Sequence, residues 1–73
     1  MATITISAPE AKSDVVFEAP DNLLDLNVPD VQAKTKDRAL AVAVVSKGLK
    51  LYAHGKADLG YGIVATIEGQ LGG

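Results

Sequence analysis

The chain has no cysteine and no tryptophan, and its 73 residues include one phenylalanine, two tyrosines and one histidine. Without thiols there is no disulfide staple, and a single histidine cannot complete the nitrogen and sulfur ligand set of a structural zinc site. With aromatics this scarce, any core must be built from Ala, Val, Leu and Ile. Positive charge is also scarce: seven Lys and Arg against nine Asp and Glu leave a net charge of −2, which removes any general attraction to nucleic-acid phosphate. No apolar run approaches the roughly 20 residues of a membrane span. The start, Met1-Ala2-Thr3-Ile4, lacks the basic and apolar regions of a signal peptide. The expectation is a chain that is soluble and intracellular at synthesis.

What is present is small aliphatic content, with 48% of residues hydrophobic. A chain of this length forms one domain and buries only about 60% of the surface it exposes when unfolded. Small scaffolds usually need a staple. With disulfides and zinc removed, association with copies of itself or with another protein takes that role.

The chain divides near residue 38. Residues 1–37 carry all three prolines, Pro9, Pro20 and Pro29, with short apolar stretches between them. Ile4 and Ile6 alternate with period two, as do Leu24, Leu26 and Val28, which is the pattern of half-buried strands. Proline has no N–H and is excluded from central strands. This part is therefore expected to be an extended, proline-marked N-terminal arm with short edge strands. Residues 38–73 hold the dense apolar content and end in the glycine-rich tail Gly69–Gly73. Leu40, Val42 and Val44 share one face of a strand, Ser46-Lys47-Gly48 supplies a turn, and Leu49, Leu51 and Ala53 point inward on the next strand. Ile63–Ile67 completes an all-β antiparallel meander over residues 38–68.

The alternative is an α+β fold with a helix over residues 37–53. Asp37 could cap it, alanine and leucine favour it, and Gly55 could end it. Lys47, Lys50 and His54 fall together on a helical wheel, as a surface helix requires. Val42, Val44 and Val45 lose rotamer freedom in a helix, and Gly48 weakens one, so the hairpin is preferred.

No group of residues makes a convincing catalytic or cofactor site, and the chain reads as non-enzymatic with no cofactor. His54 is the only side chain that ordinarily titrates near neutral pH. Asp58 and Ser46 lie within sequence reach of it, but such a coincidence is common in any short chain, and an exposed histidine is the simpler reading. Asp21, Asn22, Asp25 and Asn27 offer oxygen ligands, yet the interposed leucines and the missing central glycine do not fit a calcium loop. Gly55-Lys56 and Gly60-Tyr61-Gly62 lack the spacing of a phosphate-binding loop. Lys34, Lys36 and Arg38, interrupted by Asp37, read as a solvated turn rather than a nucleic-acid contact, because no aromatic is nearby to stack on bases.

Phe17, Leu23, Leu24 and Leu26 are the candidate protein-interface residues. They lie in the proline-broken acidic segment, where apolar side chains without a core would form an interaction patch.

The arm of Met1–Asp37, the Ala/Val/Gly-rich meander of Ala39–Ile67 and the glycine tail together resemble the head decoration or cement proteins of tailed bacteriophages. That resemblance implies an all-β structural protein of the virion surface, made in the host cytoplasm. Copies would bind the shell as trimers, dimers or monomers and stabilise the major capsid protein by added contacts. The alternative function is a small intracellular protein-binding inhibitor or adaptor, for example a phage anti-defence factor. Both readings need a protein partner and neither needs nucleic acid or membrane.

Overall fold

The period-two alternation at Ile4 and Ile6 does form a strand, but in the middle of the molecule. The computed structural model of the chain describes residues 1–70. Four strands form one antiparallel sheet: β1 (Ala2–Ser7), β2 (Val15–Ala19), β3 (Lys56–Gly60) and β4 (Ile63–Gly69). Their order is β2-β1-β4-β3, so β1 is flanked on both sides and β2 and β3 are the edges. A 3-10 turn (Leu23–Asp25) and three helices, α1 (Val28–Thr35), α2 (Arg38–Ser46) and α3 (Gly48–His54), lie between β2 and β3 in the chain. Ala2, Ile4, Ile6, Phe17, Ala19, Ala57 and Ala65 share one buried core with Leu26, Val31, Ala41, Val44 and Leu51. The opposite sheet face carries Thr3, Thr5, Val16, Glu18, Val64 and Glu68 at the alternate positions.

The architecture is α+β, which corrects the all-β expectation in two places. Residues 1–37 do not form an arm: β1 pairs with β2 and β4, and the prolines fall outside the strands rather than preventing them. The alternation at Leu24, Leu26 and Val28 does not make a strand either. Asn22 and Asn27 cap the 3-10 turn and α1 there, the Asn22 Oδ1 accepting from the Leu24 N–H at 2.9 Å and the Asn27 Oδ1 from the Asp30 N–H at 3.0 Å.

The second correction is the stretch 39–54, which is helical, as the alternative had it. Ala41, Val44, Gly48 and Leu51 are all buried, at spacings of three, four and three residues, so one helical stripe runs from α2 into α3. A strand would have buried Val42 and Leu49, which are 43% and 70% exposed. The Asp37 carboxylate accepts from the Leu40 N–H at 3.1 Å and starts α2, and Gly55 ends α3 in the left-handed conformation at φ 83°. The valines cost only a few tenths of a kcal/mol each in helix propensity, less than burying the stripe returns. The chain bends at Lys47, and Gly48 is a helical residue rather than a hairpin turn. A Cβ at Gly48 would lie 2.9 Å from Leu26 Cδ2 and 3.1 Å from Leu23 Cδ1, so its small size lets α3 close on the 3-10 turn. The strand expected at Ile63–Ile67 lies within β4, and its partner is the unexpected β3, through a turn at Tyr61–Gly62 in which both residues have positive φ. Of the glycine-rich tail, residues 71–73 lie outside the described residues.

Candidate functional site

Hydrogen bonding in the antiparallel ladders determines which backbone groups are left over. The Ile67 N–H donates to the Gly55 carbonyl at 2.9 Å, toward β3, and the Gln70 N–H donates to the Met1 carbonyl at 3.2 Å, toward β1. Because bonded and non-bonded pairs alternate along an antiparallel pair, the odd residues of β1 bond to β4 and Ala2, Ile4 and Ile6 turn to β2. Val15, Phe17 and Ala19 answer them. The N–H and C=O of Val16 and Glu18 are therefore directed away from the sheet, along its free edge.

A cleft of about 400 Å³ borders that edge, between the end of β2 and the segment from the 3-10 turn through α1. Phe17, Ala19, Leu26 and Val31, all buried, form its apolar lining. Its charged lining consists of three carboxylates, Asp21, Asp25 and Asp30, against one ammonium, Lys34, while Glu18 borders it from β2 with its side chain on the other sheet face. Local hydrogen bonds hold this wall in shape. The Asn27 Nδ2 donates both to the Asp25 carbonyl and to the Asp30 carboxylate, each at 3.0 Å. The Tyr52 hydroxyl, on α3, donates to the Pro20 carbonyl at 2.6 Å and ties the end of β2 to the helical layer.

Burial raises the Tyr52 phenol above its ordinary 10.0, and the charges of Asp21 and Asp25 raise it further. Because the folded chain disfavours the phenolate, the stability held with the neutral phenol is fully present below pH 10.0 and is lost as pH rises through the folded value. With Tyr61 replaced by phenylalanine, phenolate absorbance reports Tyr52 alone. Its midpoint is expected above 10.0 in the folded chain and to fall on unfolding in urea; a folded midpoint at or below 10.0 would contradict the burial of the phenol beside Asp21 and Asp25.

The structure distributes the sequence candidates unevenly. Phe17 and Leu26 meet in the cleft lining, Leu23 is half-buried against Gly48, and Leu24 stands 87% exposed outside the cleft. His54 lies exposed in the last turn of α3. Ser46 ends α2, and the Asp58 carboxylate accepts from the Gly60 N–H at 2.8 Å. Lys34 lines the cleft, Lys36 closes α1 in the left-handed region, and Arg38 opens α2, so the basic cluster is divided among three roles. Asn22 and Asn27, the amides of the possible calcium set, are helix caps. Among the described residues, no group of three or more His, Cys, Asp or Glu is placed to hold a metal ion, and no helix is long and apolar enough to cross a membrane.

Sequence reasoning missed Val31, Asp30 and the outward backbone of β2. The signal for α1 was present: Asn27-Val28-Pro29-Asp30 is a cap, a proline in the first turn and an acidic residue in the order a helix start requires. Compared with protein-family models, with curated proteins and with solved structures, the chain finds no match.

Proposed function

We propose that this chain is a small non-enzymatic protein-binding module, an intracellular adaptor or inhibitor, which holds its partner at the free edge of β2 and the adjoining cleft. The observation that carries this reading is the contrast between the two sheet edges. Unpaired edges invite pairing with other chains, and proteins blunt them with lysine, bulges or cover. β3 is blunted in this way: it carries Lys56 and breaks register between Asp58 and Gly60. β2 has neither lysine nor bulge, presents Val16 at 59% exposure, and lies beside an apolar lining. An edge left open in this way is suited to binding. The major capsid protein would be one partner of this class, but the arm and meander that suggested it are replaced by a single sheet with its helices.

Site-specific photo-crosslinking in the cells that make the protein tests the reading. A benzophenone amino acid at Ala33, exposed in the cleft wall, is expected to yield adducts with one protein, whereas the same group at Ala53, exposed on α3, is not. A capsid subunit in the adduct would select the decoration reading, and a host enzyme the inhibitor reading. Equal adducts at both positions, or none at Ala33, would overturn the site.

A further inference from the structure

Resting on the protein-binding reading above, we infer that the cleft takes an extended, basic segment of the partner, which adds a fifth strand to the sheet along β2. Pairing would use the outward N–H and C=O of Val16 and Glu18, as in other edge-strand recognition. The site is short and has one fixed end. Pro20 lacks an N–H to donate and its carbonyl is engaged by Tyr52, so the pairing edge ends at Glu18. With β2 five residues long, the incoming strand would span about five residues.

Alternation then assigns the side chains. On the helix side they enter the apolar lining of Phe17, Leu26 and Val31, which suits valine-sized groups. On the other side they lie beside Val16 and Glu18, where lysine or arginine would pair across strands with the Glu18 carboxylate. Asp21, Asp25 and Asp30 line the helix side of the cleft, with Lys34 the one opposing charge there, and act on an approaching segment through their field rather than by pairing with its basic side chains. An acidic segment would be repelled by this set and a basic one steered to it. A second copy is disfavoured by the same charges, since pairing β2 with β2 would bring two acidic walls together.

The probe is an acetylated, amidated peptide, Lys-Val-Arg-Val-Lys-Val-Arg, with its analogue carrying Glu at every basic position as control. Fluorescence anisotropy and amide NMR shifts on the full chain are the readouts. The basic peptide is expected to bind, to shift the amides of Val15–Ala19 and Val31, and to weaken in about 0.5 M salt. The acidic analogue is expected to do none of these. V16P removes an N–H that bonds to nothing within the sheet, so it should leave the fold intact and weaken binding by about tenfold or more. D21K/D25K should weaken it similarly while sparing the ladder, and carries the test if V16P fails to fold.

No binding of the basic peptide, equal binding of both peptides, or binding indifferent to D21K/D25K would overturn the inference. So would β2 amide shifts produced by concentrated protein alone, which would make a second copy the occupant. Adducts at Ala33 without peptide binding would retain the protein-binding reading and remove only the partner chemistry; loss of both would remove both.

Discussion

Removing residues 1–20 is expected to unfold the whole chain. The truncation deletes β1 and β2, and β1 is the strand that joins β2 to β4. It also removes Ala2, Ile4, Ile6, Phe17 and Ala19, five of the twelve buried hydrophobic residues of the core. Fully burying a large apolar side chain contributes about 1.5–3 kcal/mol, and Ile4, Ile6 and Phe17 together approach the 5–15 kcal/mol by which ordinary domains are stable. The helices would lose the surface that covers their buried stripe, and short helices are marginal in water without such packing. Far-UV circular dichroism and amide NMR dispersion are the measurements. A truncated chain that keeps a cooperative melt and dispersed β4 amides would return the division of labour to residue 38, with the N-terminal part as an arm.

Ile4→Ala is expected to cost about 2–5 kcal/mol, the range for truncating a large aliphatic side chain in a close-packed core. Ile4 is fully buried and stands opposite Phe17 on one side and Ile67 on the other, so its removal opens a cavity where both ladders meet the helical layer. In a domain of this size each kcal/mol moves the melting temperature by about 4–8 °C, so the variant would be partly or wholly unfolded at physiological temperature. Leu49→Ala is the internal control. Leu49 is 70% exposed on α3, and its replacement should change stability by no more than about 0.5 kcal/mol. Urea unfolding compares the two. Equal costs would mean that residues 49–53 present the face a strand would bury, and would restore the hairpin.

Two periods are written into residues 39–54. Leu40, Val42 and Val44 repeat every second residue, while Ala41, Val44, Gly48 and Leu51 repeat at helical spacing. Local propensity divides them weakly, valine favouring one and alanine the other. The caps were the more reliable local signals. Asp37 and Gly55 mark the two ends of α2 and α3 by chemistry that needs no distant partner, a carboxylate accepting a free N–H and a glycine taking positive φ.

By itself, then, the sequence determined an aliphatic chain without thiols and the strand around Ile4 and Ile6, and it carried the caps Asn27, Asp37 and Gly55 even though the hairpin was preferred to the helices they bound, because each follows from composition or from contacts between near neighbours. Only the tertiary structure decided that the first strand lies at the centre, since β1 meets β4 across some sixty residues, as in the Thr5–Thr66 pair, and no local pattern encodes that pairing. The candidate site belongs to the same class. Phe17, Leu26 and Val31 come together with the outward edge of β2 only after the sheet order β2-β1-β4-β3 leaves that edge unpaired and α1 folds beside it. An open edge is a property of what does not pair, and that is settled only once every other strand has found its neighbour.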